Sequence, residues 1–182
     1  VATTLGGLLI LGAALAMPIG NRMAYPDPDS VASSSTPAAN PQAVADPVAD
    51  EAAIREVFHQ YTATVDAGDL DAWMSLWAPG GVQMPPGTPM RTGLSAIRAG
   101  MEPALTQYVD EIHIMPIEIT VAGEWAYARG TYTLDTYRPD QRGETGSTVS
   151  HVDGKFTTIL ERQPDGSWKI YRDIFNSNVP ST

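Results

Sequence analysis

The spacing of apolar residues changes character once along the chain, near Tyr108. Before that point apolar side chains recur every three or four positions. Ile54, Val57, Phe58, Tyr61 and Val65 fall on one stripe of a helix. Asp46-Pro47 supplies its start, a capping side chain followed by proline in the first turn, and Gly68 supplies its stop. Asp69 caps a second, shorter helix whose buried stripe is Leu70, Trp73, Met74 and Trp77. The stretch "PGGVQMPPGTP" (Pro79 to Pro89) leaves room only for a short strand between turns. Leu94, Ile97, Met101 and Leu105 predict a third helix, which Gly100 and Pro103 weaken or split in two.

Beyond Tyr108 the composition turns to Ile, Val, Thr, Tyr and Trp. Residues 111–121, 125–137, 149–163 and 167–176 read as strands separated by turns. "AGE" (Ala122 to Glu124) and "QPDG" (Gln163 to Gly166) are tight connections, and "RPDQRGETGS" (Arg138 to Ser147) is a longer, mobile one. Strands joined this way form an antiparallel meander, and a sheet of this length needs the helices across one face. The expected fold class is α+β.

Ahead of the helices the pattern is different again. Residues 1–21 carry no charge, and "LGGLLILGAALA" (Leu5 to Ala16) is an apolar run ending in a small-x-small pattern. Residues 1–22 are therefore expected to be a secretory signal peptide, with an uncleaved membrane anchor as the alternative. Residues 23–46 are dominated by Pro, Ser and Ala without apolar periodicity, which predicts a disordered tether. The folded domain is expected over residues 47–179, secreted or periplasmic, and tied to a membrane only if the leader stays uncleaved.

Composition narrows the chemistry. Among 182 residues there is no cysteine, which removes disulfides, thiolate ligands and cysteine nucleophiles. Acidic residues outnumber basic ones 21 to 11, a surface that repels phosphate backbones, so nucleic acid is not an expected partner. His59, His113 and His151 show no metal-ligand spacing, and no phosphate loop or nucleophile elbow occurs. Neither a metal nor an organic cofactor is expected.

Two segments carry a resemblance. "FHQYTATVDAGDLDAWMSLWAPGGV" (Phe58 to Val82) and "KFTTILERQPDGSWKIYRDIFNSN" (Lys155 to Asn178) resemble the nuclear transport factor 2-like superfamily. The similarity is to its SnoaL-like and ketosteroid-isomerase-like branch, including members of unknown function, over about residues 48–178. It implies a cone in which a strongly curved sheet wraps three helices and encloses a pocket, usually in a homodimer. Isomerases, cyclases, dehydratases and proteins without demonstrated chemistry share that fold, so the site must decide. Steroid isomerases of the branch use a first-helix tyrosine, a protonated acid and a carboxylate base. Tyr61 falls at the tyrosine. The base would fall in "GVQMPP", where Met84 stands, and the acid near Thr157 or Thr158. One group of three does not support steroid isomerisation.

Asp173 is the remaining acid–base candidate. Strand alternation places Tyr171, Asp173 and Phe175 on one face, and the resemblance turns that face toward the pocket. The opposite face would then carry Trp168, Ile170 and Ile174, an apolar surface suited to dimerisation. The catalytic candidates are Asp173 and Tyr61, with a structural ion pair between Asp173 and an arginine such as Arg129 as the plainer reading. Candidate pocket-lining residues are Trp77, Met84, Met90 and Ile97 from the first half, and Tyr127, Tyr171, Phe175 and Asn176 from the strands. The expected function is an exported pocket protein that binds or transforms a small apolar molecule. The alternative is an association module with a vestigial pocket.

Overall fold

The first helix begins where its capping signal places it. In the computed structural model, which describes residues 46–140 and 148–178, α1 spans Pro47–Asp66. The Asp46 carboxylate accepts from the N–H groups of Val48 and Ala49 at 3.1 and 3.3 Å. Gly68, at φ 66°, turns the chain out of the helix in a conformation that costs other residues strain. The second helix, α2, is short, Leu70–Ser75. Trp77 is not part of it. The Ile170 N–H donates to the Leu76 carbonyl at 2.8 Å, and the chain continues as strand β1, Trp77–Met84. After the two-residue strand β2, Arg91–Thr92, the helix α3 runs unbroken over Leu94–Gln107. Gly100 and Pro103 do not split it, because Ile97 and Leu105, near its two ends, are both buried.

The second half is the expected meander: β3 (Val109–Ala122), β4 (Trp125–Tyr137), β5 (Thr148–Arg162) and β6 (Trp168–Ser177). The six strands lie in the order β2-β1-β6-β5-β4-β3. Every pairing is antiparallel except β1 with β6, which run parallel. This is the α+β, cone-type arrangement of helices on a curved sheet. The helices cover one face, here called inner. Phe58 packs on Phe156 (ring centroids 5.3 Å apart), Tyr61 on Trp73 (5.5 Å) and Trp73 on Trp77 (5.3 Å). Trp73 is wholly buried. Truncating a ring in such a position costs about 3–5 kcal/mol.

The terminal strand departs from simple alternation. Leu160 pairs with Ile170 and Ile159 with Arg172, so Tyr171 is the extra residue of a β-bulge. Tyr171 and Arg172 consequently both project outward, and Trp168, Ile170, Asp173 and Phe175 all face the helices. Trp168 and Ile170 are core residues at 4% and 1% exposure, not the dimer surface expected of them; of that trio only Ile174 is exposed. Arg172 stabilises the bulge. It donates to the carbonyls of Gly80 and Tyr171 at 2.9 and 2.8 Å, with its guanidinium over the Tyr171 ring.

Among the described residues no helix is long and apolar enough to cross a bilayer. The expected leader, the tether up to residue 45 and residues 141–147 of the long connection lie outside the described residues.

Candidate functional site

The inner face carries one polar row. Arg91 on β2 is paired with Gln83 on β1, Gln83 with Asp173 on β6, and Asp173 with Thr158 on β5. Directly paired residues on neighbouring strands point to the same side, so four polar side chains stand abreast in a face otherwise filled by aromatic and aliphatic groups. Gln83, Thr158 and Asp173 are 1%, 1% and 7% exposed.

Asp173 is the chemical centre of the row. It accepts a hydrogen bond on Oδ1 from the Thr158 hydroxyl at 2.8 Å, and none is found on its other oxygen among the described residues. Burial disfavours the charged carboxylate and pushes its pKa up to about 6, with the Thr158 hydrogen bond acting in the opposite direction. Among the described residues no arginine pairs with it. Arg129, the partner considered from the sequence, lies on the outer face and bonds Glu118 at 2.5 Å. Thr158, where the resemblance calls for an acid, instead hydrogen-bonds to one on the adjacent strand.

Two phenols border this carboxylate. Tyr61 of α1 is buried, which raises its pKa, and the Asp173 charge is close enough to raise it further. Tyr132 of β4 is pushed up to about 12 by burial and then by Asp173 and Asp153. Both therefore stay protonated at neutral pH and can donate. Among the described residues the buried indole N–H of Trp77 has no hydrogen-bond partner, whereas that of Trp73 lies close to the Tyr61 hydroxyl. An orphan donor of this kind calls for a water or a ligand oxygen. A weak base with protonated phenols nearby is suited to moving a proton at carbon while an adjacent oxygen gains charge.

The other lining candidates are scattered. Trp77 and Ile97 are core, and Met84 is half-buried at the end of β1. Phe175 is on the inner face, its ring edge-on to Tyr132 at 6.0 Å. Met90 is 67% exposed in the turn before β2. Tyr127 is on the outer face, hydrogen-bonded to Glu118, and Tyr171 is turned outward by the bulge to pack on Trp125. Asn176 is exposed on the outer face. It borders an open groove of about 270 Å³ whose outward-pointing side chains include Arg129, Lys155, Thr157 and Ile174. That groove includes neither Asp173 nor Tyr61.

Gln83, Arg91 and Tyr132 belong to the site and were not singled out from the sequence. Gln83 lies between Val82 and Met84, a strand-like triplet whose polar centre was a usable signal. Arg91 gives none, since its stretch reads as loop. Among the described residues no group of three or more His, Asp or Glu comes together in a way that could hold a metal.

Comparison with known proteins agrees with this fold. The SnoaL-like domain family matches residues 46–172. A conserved protein from Planctomyces limnophilus is 24% identical, with 69% of this chain and 94% of that chain covered at a TM-score of 0.62. A ketosteroid isomerase-like protein from Erwinia carotovora is 18% identical (71% and 96% covered, TM-score 0.60). A nuclear transport factor 2-like protein with a cystatin-like fold from Novosphingobium aromaticivorans is 24% identical (74% and 85% covered, TM-score 0.60). At these identities the likeness is one of fold. A search of curated proteins gives no match. From the extent of the matched domain, the chain belongs to the SnoaL-like domain family, with a fold like that of nuclear transport factor 2-like proteins.

Proposed function

We propose that this chain is an exported small-molecule pocket protein that binds an apolar ligand against the inner face of its sheet and transfers a proton on it. The observation that carries the reading is Asp173, a buried carboxylate that has, among the described residues, one hydrogen bond and no cation partner, and whose pKa is raised toward neutrality. A fold stabilised only for its own sake would gain by an uncharged residue there. Tyr61 is the donor to the ligand oxygen, and the reaction class is isomerisation, cyclisation or dehydration. A thermal-shift panel of steroids, terpenes and polyketides tests it. At least one class should raise the melting temperature in proportion to its mass action, and Asp173→Asn should abolish or alter that response. No response from any class would remove the pocket reading. Recovery of the protein only from the cytoplasmic fraction would remove export.

A second reading, association through the sheet, is favoured by the outer face. Met115, Ile117, Trp125, Tyr127, Ile159 and Ile174 are 37–65% exposed there, and Tyr127 is paired directly with Ile159 across β4 and β5. A second copy of the chain would cover such a surface. Sedimentation at micromolar concentration should show a dimer that Ile159→Glu dissociates. A monomer at all concentrations would dismiss the interface.

A further inference from the structure

Arg91 is a half-buried cation for which the described residues provide no anion. Arg55, Arg98, Arg129 and Arg162 each have a carboxylate, on Glu51, Asp71, Glu118 and Asp50. Arg172 is satisfied by two carbonyls and an aromatic face. Among the described residues Arg91 has a single acceptor, the amide oxygen of Gln83, at 2.7 Å from Nη1. A guanidinium carries five donors, and a partly desolvated one is poorly served by one neutral partner.

The surroundings hold it in place all the same. Gln83, 1% exposed, is paired with Arg91 across the β1–β2 hairpin, which directs the guanidinium to the inner side of the sheet. The α3 helix makes room for it: a Cβ on Gly100 would run into the Arg91 side chain, whose Cδ would be 2.6 Å away. Glycine within a helix is unfavourable relative to alanine, so this space comes at the expense of helix stability. Tyr61 is near enough for its ionisation and that of Arg91 to influence one another. Arg91 is also two strands from Asp173 in the same row, roughly 10 Å between backbones at the usual strand spacing.

We infer that Arg91 receives a carboxylate of the ligand, so that the pocket takes small apolar acids, with the acid group at β2 and the apolar body directed toward Asp173. A planar fork matches a carboxylate through two parallel hydrogen bonds. One guanidinium balances one negative charge, which disfavours a phosphate dianion beside a buried aspartate. The inference rests on the pocket reading above and goes beyond it by assigning the ligand its charged end.

The test compares 2-naphthoic acid with 2-naphthamide, a neutral analogue of similar shape, titrated calorimetrically into the wild type, Arg91→Gln and Gly100→Ala. The acid should bind wild type at least roughly tenfold more tightly than the amide, as a charge-assisted pair requires. In Arg91→Gln the two should bind within about twofold of each other. Gly100→Ala displaces the guanidinium without removing it and should also lose the preference; it carries the comparison if Arg91→Gln fails to fold. Equal binding of acid and amide to wild type overturns this inference and leaves the pocket intact. Binding of neither also overturns it, and the thermal-shift panel then decides the pocket separately.

Discussion

Both terminal nitrogens of Arg162 donate to the two carboxylate oxygens of Asp50, at 2.7 and 2.6 Å, fastening the first helix to the end of β5. The Trp168 indole N–H adds a third contact to Asp50 at 3.3 Å, and the guanidinium lies over that indole, 4.3 Å from the ring centroid. Asp50 is 7% exposed. Removing the carboxylate leaves a mostly buried cation with only the longer contact to Glu124 at 3.5 Å, so Asp50→Ala should destabilise the domain by about 3 kcal/mol in urea denaturation. The Arg162 hydrogen bonds hold the Asp50 pKa below its usual value. Its contribution is therefore complete above about pH 4 and is lost as pH falls through the lowered value. A loss under about 1 kcal/mol would show that the pair behaves as a surface ion pair.

Asp173 should have the opposite sign. Its pKa lies at about 6 in the fold, against 3.8 for the free group. Between these values the folded chain keeps a proton that the unfolded chain has released. Stability therefore falls as pH rises through that window and is level above it. Asp173→Asn removes the fall. The variant should be about 2–3 kcal/mol more stable than wild type at pH 8 and nearly equal at pH 4. Destabilisation at pH 8 would mean that the carboxylate has a cation partner after all.

Gly130 should be irreplaceable on steric grounds. Ile117 bulges out of β3 between the pairs Pro116–Gly130 and Glu118–Arg129. That bulge brings the backbone at Met115 over the Gly130 position, where a Cβ would strike the Met115 carbonyl and meet a Phe156 ring carbon at 2.9 Å. Backbone cannot swing aside as a side chain can, so Gly130→Ala should cost about 1–3 kcal/mol. A neutral result would show that the bulge relaxes.

Elements whose spacing records their own burial were legible in the sequence. The α1 stripe from Ile54 to Val65 and the four strands of the meander fall within two residues of where apolar periodicity puts them. Tyr61 and Asp173 were legible as neighbours of apolar groups at matching periods. Features decided by pairing between distant segments were hidden. Trp77 keeps helical spacing with Trp73, yet β6 takes the Leu76 carbonyl and draws the chain into the sheet. The bulge at Tyr171 reverses the facing of Trp168 and Ile170 relative to Asp173, and nothing local in "WKIYRD" marks it. Arg91 acquires its place only through Gln83 and the absent side chain of Gly100.

The position of β6 bears on how the protein comes to be made. It follows every other described strand in sequence, yet it is inserted between β1 and β5, inside the sheet. A growing chain can close β3, β4 and β5 by local hairpins, but the second edge of β1 must wait for a partner more than eighty residues downstream. Until then two strand edges stay uncovered, a state open to association with other nascent chains. Arg91, Gln83 and Thr158 cannot meet Asp173 before that insertion. The polar row from Arg91 to Thr158 is therefore completed only in the step that completes the sheet.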